Sequence, residues 1–158
     1  MPFTIFESPL GELTLVAGPD GVLRGLYFPG TAPALSAAEH DPEPLAAATE
    51  QLEQYFRGER TTFDLDLELA GTAFQRSVWD ALRTIDYGTT TTYGALARAL
   101  EAQPRAVGAA VGATPIPIIV PCHRVIGSDG SLTGYGGGLP RKRALLDLEA
   151  GVLPLASV

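Results

Sequence analysis

The chain holds one cysteine, Cys122, and only two histidines, His40 and His123. A single thiol excludes an internal disulfide and any zinc site built from several cysteines, and two imidazoles leave no histidine-based metal centre. Neither a metal nor an organic cofactor is therefore expected. Long apolar runs are absent too, since nothing approaches the ~20 residues that a membrane-crossing helix needs. No basic stretch followed by an apolar one opens the sequence, so no secretion signal is read and the cytoplasm is the expected compartment. What is present, 158 residues with 46% hydrophobic content, suffices to bury a core in one or two small domains.

Positive charge is scarce, and its distribution is uneven. The net charge is −7. Residues 1–70 carry three basic residues against twelve acidic ones, a net charge of −9, whereas residues 71–158 carry eight against six, a net charge of +2. Binding responds to the local field rather than to the total. The second half is the one suited to face a polyanion, and the first half would be repelled by it.

The opening reads as an antiparallel meander. Residues 3–8 and 12–17 form short strands split by Pro9-Leu10-Gly11, and Pro19-Asp20-Gly21 turns the chain into a third strand over 22–28. Residues 30–44 read as loop. Leu45, Leu52 and Phe56 then recur at helical spacing, with Gly58 closing that helix. Residues 62–69 alternate through Phe63, Leu65, Leu67 and Leu69, as a strand with one apolar face. A small α/β domain is thus expected over 1–70 and a second domain over 71–158.

The second half changes period. Thr72 is placed to cap a helix carrying Phe74, Val78, Leu82 and Ile85 on one face and ending near Gly88. Thr92 is placed to cap a short helix over 93–100, and Pro104 suits the first position of another, ending at Gly112. Two short helices joined by a few residues read as a helix-turn-helix. The second of them, Arg105-Ala106-Val107-Gly108-Ala109-Ala110-Val111-Gly112, has one long polar side chain and otherwise small residues. Base-edge readout in the major groove needs several long polar side chains, so this helix is unsuited to it. It is suited instead to close approach to a backbone or a narrow groove, or to tight packing in a core.

Cys122 lies in Pro121-Cys122-His123-Arg124-Val125, after the apolar run 116–120 and before the glycine-rich Gly134-Tyr135-Gly136-Gly137-Gly138. A cysteine attacks as the thiolate and needs a base or a positive neighbour, for which His123 and Arg124 are both candidates. A buried, inert core cysteine is the alternative.

This segment, with Arg105-Ala106-Val107-Gly108 beginning seventeen residues before the cysteine, resembles the O6-alkylguanine-DNA alkyltransferases. The resemblance extends to Phe74-Gln75, Val78-Trp79, Leu82, Tyr93, Gly134-Tyr135, Gly137-Gly138, Lys142 and Glu149, and is strong over 71–151. It implies an α/β (α+β) fold in which a small ribonuclease-H-like domain precedes a mainly helical winged helix-turn-helix domain. It also implies irreversible, stoichiometric transfer of an alkyl group from O6-alkylguanine in duplex DNA to Cys122, after the base is flipped from the stack.

By the same resemblance His123 acts on the thiol through a water, oriented by Glu149, and Tyr93 hydrogen-bonds the leaving guanine. Arg105, Ala106, Gly108, Ala109 and Thr92 would contact DNA, with Arg105 filling the gap left by the flipped nucleotide. Tyr135, Gly136, Val125, Lys142 and Thr114 would form the substrate pocket. A monomer acting on double-stranded DNA, with no membrane partner, is expected. Two positions depart from the family pattern. Thr114 stands where asparagine is usual, eight residues before the cysteine, and the connection between Tyr93 and Arg105 is shorter than usual. Thr114 is expected still to brace the loop before Cys122. Competing expectations are a damage-binding relative with weak or no transfer, against which Cys122 itself speaks, and an unrelated cysteine hydrolase or redox enzyme. The redox reading lacks a second thiol for resolution.

Overall fold

Alternating side chains set the first layer in a computed structural model that describes residues 1–152. Strands β1 (Phe3–Ser8), β2 (Gly11–Ala17) and β3 (Leu23–Tyr27) form an antiparallel sheet in sequence order. Phe3 pairs with Val16 and Ser8 with Gly11, whose φ of +104° suits a residue without a Cβ at the hairpin turn. The stretch read as loop contains two 3-10 turns, Ala37–Glu39 and Glu43–Leu45, the first closed by a reciprocal Ser36–Glu39 capping box. Helix α1 (Ala46–Phe56) packs on the sheet through Ala48, Leu52 and Tyr55.

The alternating segment 62–69 is not a strand. It meets β3 through a Leu23–Leu67 bridge, the bond from Glu68 N–H to Leu23 O (2.9 Å) and an Arg24–Glu68 ion pair (2.8 Å), with no continuous ladder. Its leucines pack against the core as expected. Period two therefore recorded which face is buried, and that burial was achieved without a ladder.

Thr72 caps α2 (Ala73–Leu82), with Gln75 returning a bond to the Thr72 N–H. The buried stripe is Val78, Trp79 and Leu82. Phe74, expected in that stripe, is exposed, and Ile85 lies beyond the helix in a tight turn where its N–H reaches Leu82 O. Thr92 Oγ1 accepts from Ala95 N–H (3.0 Å) and starts α3 (Tyr93–Leu100). Glu101 ends α3 in the left-handed region (φ 52°), where Ala102 N–H reaches back to Ala97 O. Pro104 is the first residue of α4 (Pro104–Gly112). The indole N–H of Trp79 donates to Ala110 O (2.8 Å), so α2 fixes the position of α4.

Before α3, β4 (Thr91–Thr92) pairs in parallel with β5 (Val125–Ile126), which lies beyond the apolar run, and α5 (Leu139–Glu149) follows Gly138 at φ +89°. The core is continuous through both halves: Leu13, Leu26 and Leu52 belong to the same cluster as Val78, Ile116 and Leu145. Hydrogen bonds reinforce it, from the main-chain N–H of Leu26 to Pro115 O (3.0 Å) and from the side-chain Nε of Arg141 to Leu10 O (2.8 Å). Among the described residues no helix is long and apolar enough to cross a membrane.

Candidate active site

The segment that carries Cys122 is held in two uncommon turns. Val120 N–H bonds Ile116 O (2.9 Å) across Ile118, whose φ is +73°. A β-branched residue there is strained, at a cost on the order of 1–3 kcal/mol, and persists only where its surroundings enforce it. Ile116, Ile118 and Val120 are almost wholly buried and supply that enforcement. Then Cys122 N–H reaches Val120 O (2.7 Å) around Pro121 at φ −80°, ψ 61°, an inverse γ-turn whose φ the proline ring presets. These two bends aim the thiol at a cavity of about 710 Å³.

Cys122 is buried, and the cavity wall also includes Tyr93, Thr114, Tyr135 and Gly136. Burial pushes the thiol up to about 11, against the pull of the Thr114 and Tyr135 hydroxyls and the Lys142 ammonium. At pH 7 only roughly one part in ten thousand is thiolate. The resting nucleophile is a thiol and needs a base. Tyr135 Oη is buried near the sulfur without completing a hydrogen bond of ordinary geometry.

His123 is fully buried, and its Nε2 lies 2.7 Å from Glu149 Oε2. Burial would raise the Glu149 carboxyl, but hydrogen bonds from His123, Arg124 and Tyr55 hold it down at about 2, so it is ionised and accepts only. We therefore assign the proton of the imidazole to Nε2. Burial lowers the His123 pKa, which leaves the ring neutral at pH 7. Its Nδ1 is then an acceptor, buried and without a hydrogen bond to any protein atom among the described residues.

Arg124, a candidate for activating the thiol, is engaged elsewhere. Its Nε and Nη2 donate to Glu149 (2.8 and 3.0 Å), its Nη1 donates to Ile85 O (2.6 Å), and its guanidinium lies over the Tyr87 ring. A second buried cation, Lys142, is free of Glu149. It is fully buried, and its Nζ donates to Val125 O (2.7 Å) and Thr133 O (2.8 Å), 5.8 Å from the centre of the Tyr93 ring. Val125 and Lys142 therefore stand behind the pocket wall rather than in it. The Val125 side chain is buried against the core while its backbone pairs with Thr91.

Other expected positions fall as follows. Thr114 lines the cavity, and its hydroxyl donates to Val111 O (2.7 Å), three residues back at the end of α4. That bond ties the loop to one neighbouring segment, where an asparagine amide reaches two. Thr92 spends its acceptor on capping α3. On α4, Val107, Ala110 and Val111 face inward, whereas Arg105, Ala106 and Ala109 are exposed. Gly108 and Gly112 of the same helix line the cavity. The small residues thus form both an open helix face and one edge of the pocket.

Residues that the sequence alone did not single out also shape the site. Leu26 and Phe28, in and beside β3, line the cavity from the first half, and a Cβ on Gly137 would meet the Phe28 ring at 2.8 Å. Tyr55 reaches Glu149 from α1. The helical spacing read from the sequence named Leu45, Leu52 and Phe56 rather than Tyr55, and a long-range partner leaves no local sequence signal.

Comparison with known proteins agrees with this architecture. Residues 1–69 match the 6-O-methylguanine DNA methyltransferase ribonuclease-like domain, and residues 73–151 match the 6-O-methylguanine DNA methyltransferase DNA binding domain. The chain is 52% identical over 147 residues to a methylated-DNA–protein-cysteine methyltransferase of Mycolicibacterium paratuberculosis, covering 90% of this chain and 88% of the relative. It is similar in structure to Mycobacterium tuberculosis OGT in complex with DNA, with a TM-score of 0.88 and 49% identity over 98% of this chain and 96% of the other. An O6-methylguanine DNA methyltransferase from Methanococcus jannaschii is more distant, with a TM-score of 0.69 and 28% identity over 98% and 96% of the two chains. The chain belongs to the O6-alkylguanine-DNA alkyltransferase family.

Proposed function

We propose that this protein repairs duplex DNA by moving the alkyl group of an extruded O6-alkylguanine onto Cys122, once per molecule. The observation that carries the reading is a lone, buried, protonated thiol on the wall of a cavity edged by the small-residue face of α4. Arg105, Ala106 and Ala109 lie against the minor groove, where short side chains permit close approach, and Arg105 occupies the space vacated by the flipped nucleotide.

His123 Nδ1 takes the thiol proton through a water, while Glu149 holds the ring by Nε2 and stabilises the imidazolium that forms. The sulfur attacks the alkyl carbon, the S–C bond forms, and the C–O6 bond breaks with its electron pair left on guanine. Tyr93 donates a hydrogen bond to that departing base, and the proton taken from the thiol passes from the imidazolium through water to the guanine, leaving both neutral. Lys142 holds the Val125 and Thr133 carbonyls together beside Tyr93. The product thioether is not cleaved by water or by His123, so no turnover follows.

The test is intact mass before and after mixing with an O6-methylguanine duplex. The expected result is a burst of one methyl group per chain on Cys122, absent in Cys122→Ser and Cys122→Ala, and unchanged by chelators. Sustained turnover with substrate in large excess would falsify the reading. A duplex bound but left unmodified by the parent chain would identify a damage-binding protein instead.

A further inference from the structure

Glu149 Oε2 is shared. It accepts from His123 Nε2 (2.7 Å), from Arg124 Nη2 (3.0 Å) and from the Tyr55 hydroxyl (2.6 Å), while Oε1 takes Arg124 Nε (2.8 Å). The Tyr55 bond joins residues 94 positions apart, and the tyrosine is fully buried on α1. A hydrogen bond donated to a carboxylate spreads its charge, so each additional donor leaves less of that charge for the others. Tyr55 and His123 compete for the same oxygen. The surroundings are closed by few other charges: Arg124 and Tyr87 also face Tyr55, and Arg124 and Lys142 also face His123.

We propose that Tyr55, supplied by the first half of the chain, is a positioning residue for alkyl transfer, which holds His123 in its neutral, proton-accepting form by drawing charge from Glu149 Oε2. It touches neither substrate nor sulfur and acts through the carboxylate alone. The consequence is directional. Without the phenol, Glu149 interacts more strongly with the imidazolium, the histidine binds a proton more readily, and the base is lost at a higher pH. This inference rests on His123 being the base of the proposed reaction, although its first measurement does not use that reaction.

The chain has only two imidazoles, and His40 is exposed with its ring against Phe3, whereas His123 is buried. Their nuclear magnetic resonance signals can therefore be followed separately in the parent and in Tyr55→Phe. The expected result is a His123 titration raised by roughly half a pH unit in the variant. The acid limb of transfer from free O6-benzylguanine should move with it, giving a rate about three-fold lower at a pH on that limb. Site-specific 3-fluorotyrosine at position 55 keeps the ring and is a stronger donor, so it should shift His123 in the opposite direction; it also decides the matter if Tyr55→Phe does not fold. Identical His123 titrations in parent and fluorotyrosine protein would overturn the proposal, as would a lowered melting temperature with an unmoved titration in Tyr55→Phe. Failure of the parent to take up an alkyl group would instead sink the repair function while leaving the His123 titration readable.

Discussion

The two halves of the chain contribute to one site in opposite ways. Residues 1–70 are strongly acidic, at −9, and build a sheet with one helix; residues 71–158 carry +2 and hold Cys122, His123 and the small-residue helix α4. Yet the acidic half is not a passive neighbour. It lines the cavity through Leu26 and Phe28 and donates to Glu149 through Tyr55. Charge separates the half that meets the polyanion from the half that does not, whereas burial joins them in a single core.

The largest expected effect comes from breaking the clasp between the halves. Glu149→Gln removes the charge that Arg124, His123 and Tyr55 surround, and leaves the Arg124 guanidinium buried and uncompensated. Urea unfolding should show a loss of roughly 3–5 kcal/mol, since one partner of a buried ion pair is removed. A variant that unfolds with the parent would mean that the shared core and the Leu26–Pro115 and Arg141–Leu10 hydrogen bonds hold the halves together without this cluster.

Acid should act on the same group. Because Glu149 is held at about 2 against an ordinary 4.5, its contribution is fully present above pH 4.5 and is lost as pH falls toward 2. That shift corresponds to roughly 3 kcal/mol. Parent stability should decline across this window more steeply than that of Glu149→Gln, which has no carboxylate to protonate at 149; parallel curves would contradict it.

Arg105→Ala tests the second half's exclusive claim on DNA. Duplex repair should fall about 10- to 100-fold, matching a few kcal/mol of base extrusion, while transfer from free O6-benzylguanine should hardly change. Equal losses on both substrates would show that Arg105 supports the pocket instead. Thr114→Val, which removes one local hydrogen bond, should cost about 1 kcal/mol and slow transfer, with Thr114→Asn preserving it. Parent-like melting and rate in Thr114→Val would remove the hydroxyl from the site. At the low end, Arg57→Ala lies in the acidic half and breaks only exposed ion pairs with Glu53 and Glu59, so its melting temperature should match the parent's.

Much of the architecture was legible from local rules. The meander, the Thr72 and Thr92 caps and the Pro104 start all appear where turn and capping residues placed them. The exceptions have local causes as well. Segment 62–69 buried its alternating face without pairing as a strand, and α2 ended before Ile85 because its last turn tightened. Within the site, Cys122, Tyr93, Thr114, Tyr135 and Gly136 converge on one cavity, while Val125 and Lys142 brace it from behind.

Lys142 shows why the rest was hidden. In Arg141-Lys142-Arg143 nothing local distinguishes the middle residue, yet it is the buried one, because helix phase turns it toward two carbonyls while Arg143 stays exposed. By itself the sequence determined the helix-turn-helix, the charge asymmetry and the family, and singled out Cys122 as the candidate nucleophile, since each is written in neighbouring residues or fixed spacings. Only the tertiary structure decided which nitrogen of His123 lacks a protein partner among the described residues, that Arg124 rather than Lys142 pairs with Glu149, and that a tyrosine 94 residues away shares the carboxylate behind that imidazole. Those outcomes depend on burial and on partners distant in the chain, where desolvation sets protonation and no local pattern records the contact.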